Sequence, residues 1–272
     1  MAEIWRLLDT GALDAATNMA VDEAILWEHR AGRVPPTLRF YAWDPPALSL
    51  GYAQSLEKEV DLAALKAKGF GLVRRLTGGR AVLHDKEITY SIVVREDHPL
   101  MTGGVLPSYL RVARALAKGL ELLGVRVEIA SGREKVLSQH TSAACFDAPS
   151  WYEITAGGRK LIGSAQTRKG GVVLQHGSLV LRQNVEDLFA VLKFPVPENR
   201  QELQEKFARR ACGLEEVLGR PVSREEVKEA IVHSFEELYG LRFFLGKLTP
   251  EEEERVEELR GKYSSASWNA RR

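Results

Sequence analysis

The stretch "SWYEITAGGRKLIGSAQTRKGGVVLQHGSLVL", residues 150–181, decides the fold. It holds three strand-like runs, punctuated by Gly157-Gly158 and Gly170-Gly171. Paired glycines between such runs mark tight turns, so the stretch reads as an antiparallel meander. Working outward, "EITYSIVVR" (87–95) is rich in β-branched residues and reads as another strand. "FGLVRR" (70–75) and "VRVEI" (125–129) read as short strands, and "PPTLRFYAWDPPALSLGY" (35–52) as a strand, a turn and a strand. Helices are predicted over 14–29, capped by Asp14; over 57–68, stopped at Gly69; and over 108–123, stopped at Gly124. In the last of these Tyr109, Val112, Ala113, Leu116, Leu120 and Leu123 share one face. From about 185 onward the chain reads as mostly helical, with helix starts at Ser223 (with Glu226) and at Thr249-Pro250 (with Glu252). This order lacks the regular alternation of a doubly wound fold. It predicts an α+β domain with a mostly antiparallel sheet flanked by helices.

The totals exclude several classes. Lys and Arg number 38 and Asp and Glu 37, for a net charge of +1, which gives no electrostatic case for a nucleic-acid or membrane partner. No apolar run approaches the ~18 residues a membrane-spanning helix needs. Cys145 and Cys212 stand far apart and form neither a disulfide framework nor a zinc signature, so no metal is expected. The first eighteen residues are acidic and broken by Gly11, unlike a signal peptide, and a cytoplasmic protein is expected. No repeats or low-complexity segments interrupt the chain.

Three stretches could carry chemistry. In "RRLTGGRAVLHD" (74–85), two arginines end a strand and Gly78-Gly79 allow a tight turn with close ligand approach. Backbone amides in such a loop can hold an anion or a developing oxyanion. A hairpin with a charged rim is the plainer reading, and the loop matches neither common nucleotide-binding glycine pattern. His84 by itself reads as a structural histidine. In "GGRKLIGSAQTR" (157–168), alternation places Lys160 and Ile162 on one face. A partly desolvated lysine there could serve as a base near neutral pH, although a surface lysine at a hairpin edge is the commoner fate. Gly163, Ser164 and Ala165 leave room beside the strand for a ligand chain. Cys145 sits where a polar, irregular stretch (132–144), read as a mobile loop, enters a strand beside Pro149 and Trp151. A lone cysteine is more often inert and buried, but functional residues concentrate at such loop ends.

"RRLTGGRAVLHD", "GRKLIGSAQTR" and "VLQHGSLVL" resemble the catalytic domain shared by lipoate-protein ligases, octanoyltransferases and biotin ligases. "NMAVDEAIL", "RFYAWDPPALSLGYAQ" and "KYSSASWN" resemble it in the same order, over essentially the whole chain. The resemblance implies one domain of that type over 1–272, with a core of about 30–248 and a helical extension over about 249–272. ATP-dependent ligases usually carry Gly-Gly-Gly-Ala-Val where this chain has Gly78-Gly79-Arg80-Ala81-Val82, and typically lack a cysteine in the block "CFDAPSWYE" (145–153). That block is similar to octanoyltransferases of the LipM type, in which this cysteine carries the acyl group. The resemblance therefore implies transfer of octanoyl from acyl-carrier protein, through Cys145, to a lysine of a lipoyl domain such as the glycine-cleavage H protein. It implies Cys145 and Lys160 as catalytic residues. Arg75, Thr77, Gly78, Gly79, Arg80, His84, Gly163, Ser164 and Ala165 would line the substrate site. No cofactor and a monomer are expected. The alternatives are an ATP-dependent lipoate ligase, an amidotransferase between lipoyl domains, or a non-catalytic binder of lipoyl domains.

Overall fold

A computed structural model describes residues 2–130, 153–194 and 199–271. The stretch 132–144 and Cys145 lie outside them.

The meander forms as read. β8 (Ile154–Ala156), β9 (Arg159–Lys169) and β10 (Val172–Val180) run antiparallel, turning at the two glycine pairs. β10 pairs along its whole length with β6 (Glu87–Arg95), and β6 pairs with β2 (Thr37–Trp43). β7 (Glu128–Ile129) closes one edge beside β8, and is shorter than the predicted 125–129.

The other edge was not foreseen. β1 (Glu3–Leu13) pairs parallel to β2, and β11 (Leu241–Leu245) pairs parallel to β1. The eight-stranded sheet thus runs β11-β1-β2-β6-β10-β9-β8-β7, parallel at one end and antiparallel through the rest. α1 (Ala15–Arg30) makes the crossover from β1 to β2, and its N-terminus is capped by Asp14, which accepts from the Thr17 amide at 2.9 Å. A second sheet of three short strands is ordered β4-β3-β5, from β3 (Ala47–Leu50), β4 (Gly71–Arg74) and β5 (Val82–His84).

Both faces of the large sheet are covered. On one, α4 (Val105–Leu122) and α8 (Arg224–Tyr239) bury Val112, Leu116 and Ile231 against Phe40, Tyr90 and Ile92. On the other, α1 and α9 (Pro250–Ser264) bury Ile25, Val256 and Tyr263 against Leu8, Tyr41 and Val93. The small sheet also lies on that second face. It packs with α5 (Val185–Val191) and α6 (Arg200–Arg210) through Leu48, Leu50, Phe189 and Phe207. The predicted helix over 57–68 is two pieces, α2 (Leu56–Glu59) and α3 (Leu62–Ala67). Asp61 between them is extended and caps α3, its carboxylate accepting from the Ala64 amide. α7 (Leu214–Leu218) and α10 (Ala266–Asn269) complete the set. Among the described residues, no helix is long and apolar enough to cross a membrane.

Candidate active site

The glycine turn is held from below by its own flanking residues. Arg75 leaves β4 and folds back under it. One guanidinium nitrogen donates to the carbonyls of Gly78 and Arg80, at 3.1 and 3.0 Å. The other donates to the Ser49 carbonyl and hydroxyl, at 2.8 and 2.7 Å. The Thr77 carbonyl accepts from the Tyr52 amide at 2.8 Å. Gly51 closes the gap beneath, because a Cβ there would stand 2.0 Å from the Gly79 oxygen. Gly79 itself has φ of 96°, a conformation few other residues adopt. The carbonyls of Thr77, Gly78 and Arg80 are thus engaged on the protein side. Among the described residues the amides of Gly78 and Gly79 have no hydrogen-bond partner. That is the arrangement an anion or oxyanion site requires.

His84 is buried behind this turn and stacks on Trp43 with ring centroids 4.0 Å apart. Its Nε2 meets the Ser49 hydroxyl at 2.7 Å and its Nδ1 the Glu87 carboxylate at 3.1 Å. Both ring nitrogens are occupied, so His84 steadies Ser49, which in turn carries Arg75. Arg80 approaches Glu59 at 3.8 Å.

The strand opposite brings Lys160, and a register slip decides where it points. Ile162 pairs with Ile154 but Lys160 pairs with Thr155, so β9 carries one extra residue at Leu161. Neighbouring residues of a strand face opposite sides, and Ile154 and Thr155 therefore separate Ile162 from Lys160. Plain alternation had put the two on one face; the bulge turns Lys160 to the other. It joins Gly163 and Ala165 there, and this is the face on which His176, the partner of Ala165, meets Thr77 of the glycine turn. Ser164 points the opposite way. Its hydroxyl meets Tyr90 at 2.7 Å and its carbonyl accepts from Tyr109 at 2.8 Å, both on the α4 side.

Lys160 is buried, and its ammonium nitrogen is in a short contact with the equally buried Glu153 carboxylate. Glu153 is eight residues after Cys145 in sequence. The second cysteine, Cys212, is buried beside the Lys160 backbone, and burial pushes its thiol pKa up to about 11. It is a poor nucleophile near neutral pH. Among the described residues, no three His, Cys, Asp or Glu side chains come together as a metal site would need.

Lys160, Gly163 and Ala165 of β9 thus share the sheet face that His176 presents to the glycine turn, whose own frame is built from Arg75, Thr77, Gly78, Gly79, Arg80 and His84. Residues 14–236 match the model of the lipoyl protein ligase A/B catalytic domain. The chain belongs to that family. An octanoyltransferase LipM from Moorella thermoacetica is 67% identical over 271 residues, covering 100% of this chain and 99% of that protein. Another, from Kyrpidia tusciae, is 52% identical over 99% of this chain and 100% of that protein. Among solved structures, a bipartite lipoate protein ligase from Thermoplasma acidophilum superposes with a TM-score of 0.83 at 28% identity, covering 100% of this chain and 98% of that one. A lipoate-protein ligase A bound with ATP follows at 0.79 and 28%, covering 99% of each chain. This member of the lipoyl protein ligase family is an acyltransferase.

Sequence reading assigned no role to Asp22, Arg74, Glu153, His176 or Asn269. Asn269 Oδ1 accepts from the Arg74 amide at 2.7 Å, and the Asn269 carbonyl accepts from the Arg74 guanidinium. The remaining guanidinium nitrogen reaches the carbonyls of Gly51, Tyr52 and Gln54. For His176 there was a signal. It alternates with Ser178 in β10, and polar side chains at two successive positions of one buried face need partners.

Proposed function

We propose that this acyltransferase moves an octanoyl group from acyl-carrier protein to a lysine of a lipoyl domain, such as the glycine-cleavage H protein, through a thioester on Cys145. The observation that carries the reading is the 67% identity, end to end, with an octanoyltransferase LipM. The geometry is compatible with the chemistry. In the first step the Cys145 thiolate attacks the carbonyl carbon of the carrier thioester. A new C–S bond forms, the old one breaks, and the carrier thiol leaves with a proton. In the second step the acceptor lysine's neutral amine attacks the Cys145 thioester. A C–N bond forms, the C–S bond breaks, and the amine's surplus proton returns to the sulfur. Nothing is oxidised or reduced, and no nucleotide is consumed, because the donor is already activated as a thioester.

In this reading the amides of Gly78 and Gly79 receive the oxyanion that forms in each step. Gly163 and Ala165 leave space for the acyl chain, whose methylenes each contribute about 0.8 kcal/mol when buried. Lys160, held by Glu153 on the same face, serves the proton transfers or the developing negative charge.

The test is mass spectrometry after incubation with octanoyl-acyl-carrier protein. Cys145 should gain an octanoyl group that hydroxylamine removes, and Cys212 should remain free. Octanoylation of the lipoyl domain should proceed without nucleotide. Cys145→Ala should abolish transfer, and Cys145→Ser should be severely impaired. Transfer at the wild-type rate by Cys145→Ala would end the thioester reading. Strict dependence on ATP and free acid would place the chain with the ligases.

A further inference from the structure

Beneath the glycine turn lies a buried polar chain. Asp22 of α1 is 1% exposed and lies at its root. One carboxylate oxygen accepts from Arg39 at 2.7 Å and from the Ser91 hydroxyl at 2.8 Å. The other accepts from the Tyr41 hydroxyl at 2.9 Å and faces His176 Nδ1 at 3.3 Å. On the far side of the ring, His176 Nε2 meets the Thr77 hydroxyl at 2.7 Å. Thr77 leads directly into Gly78 and Gly79.

The protonation pattern follows from the partners. Burial alone would raise the Asp22 pKa, but Arg39, His176 and Ser91 outweigh it and hold the group ionised. An ionised carboxylate only accepts, so the proton between the two groups sits on Nδ1. Burial pushes the His176 pKa down, so the ring is neutral and Nε2 carries a lone pair. The Thr77 hydroxyl therefore donates to Nε2. Each bond in the chain has one direction, and none can reverse without leaving a buried group unpaired.

The order acid, imidazole, hydroxyl is that of a nucleophilic triad. Here the hydroxyl is not the nucleophile, because Thr77 is fully buried and offers no surface to an acyl group. What the chain can do is fix the χ1 of Thr77 and, through it, the backbone that presents the two unpaired glycine amides. We infer that Asp22 and His176 are positioning residues that act through the Thr77 hydroxyl to hold the Gly78-Gly79 turn in register with the reacting carbonyl. The effect on transfer rests on the function proposed above; the effect on the turn does not.

Two measurements separate them. The first is independent of activity. Ring-nitrogen NMR shifts should show His176 protonated on Nδ1 and bare on Nε2. The Tyr52 amide, which donates to the Thr77 carbonyl, should exchange about tenfold faster in Thr77→Val relative to the amides of β6 and β10, which report any global loss of stability. Thr77→Ser should restore slow exchange. The second is transfer. In Thr77→Val kcat should fall about 10- to 100-fold with the donor KM within about threefold. His176→Phe should fall alike, and the double variant no further than the worse single one, because the two act as a unit. Where His176→Phe does not fold, the Thr77 pair decides alone. An Nε2-protonated ring, unchanged Tyr52 exchange, a wild-type kcat in Thr77→Val, or losses that multiply in the double variant would each overturn the inference. A wild-type protein that transfers nothing overturns the octanoyl-transfer reading instead, while the exchange data still decide the relay.

Discussion

At the scale of single residues, the open matter is what Lys160 does beside Glu153. A base must give up its proton and take another; an electrostatic partner must keep its charge. Lys160→Met removes both abilities and should lower the transfer rate by about 100-fold or more, with the protein still folded. Lys160→Arg keeps the charge but cannot in practice deprotonate. Substantial transfer by the arginine variant would rule out the base role and keep the electrostatic one. Wild-type rates and pH profiles in both variants would reduce Lys160 to a structural partner of Glu153. The measurement is single-turnover octanoylation of a lipoyl domain across pH. Residue identity alone could not have aimed this lysine. The motif gave its position, but the bulge at Leu161 that turns it to the His176 face of the sheet exists only in the pairing of β8 with β9.

At the scale of elements, α9 is fastened to β1 by one ion pair that does two jobs. Arg6 donates to both oxygens of Glu252, at 2.7 and 2.5 Å, and both side chains are buried. Glu252 also closes the capping box of α9, accepting from the Thr249 amide at 2.8 Å. Arg6→Ala would leave that carboxylate buried without its cation. We predict a loss of about 3–5 kcal/mol, read as a lowered denaturation midpoint. A change below about 1 kcal/mol, the range of exposed pairs, would contradict it. The elements that sequence revealed were those with local signals. The meander had glycine turns, β6 its β-branched run, and α4 its apolar face. β1 and β11 lacked such signals. β1 mixes exposed and buried positions without a clean period of two, and only Leu241 of β11 is fully buried. They become strands because each finds the other, more than two hundred positions away in the chain. The site divides the same way. The glycine turn was legible as a motif, whereas the Thr77–His176 contact spans 99 residues and leaves no local trace.

At the scale of the whole molecule, stability should fall in two stages on acidification. Burial pushes the pKa values of His29 and His176 below the ordinary 6.5. The Nδ1–H of His29 donates to the Val34 carbonyl at 2.8 Å, and among the described residues its buried Nε2 has no partner, so this ring too is neutral. The unfolded chain binds protons at these sites that the folded chain resists, so stability is full above about pH 6.5 and declines below it. Asp22 and Glu23 are opposed by burial but held low by Arg39 and Lys262, among other partners. Their contribution persists above their ordinary values of 3.8 and 4.5 and is lost as pH falls through the folded ones. Melting temperatures taken from about pH 8 to 3 should therefore decline first below about 6.5 and again, more steeply, below about 4. A flat profile down to about pH 5 would contradict the histidine stage. The brace on Arg74 has a consequence in time. The ribosome makes Arg74 first and Asn269 only 195 residues later. At about 5–20 residues per second that is a delay of roughly 10–40 s. Once β10 has been made, past the middle of that interval, the antiparallel strands can pair, while Arg74 holds the carbonyls of Gly51, Tyr52 and Gln54 but still lacks Asn269. A chain that stops before Asn269 would hold nearly all of the core, with its Arg74 fastened on the Gly51–Gln54 side alone.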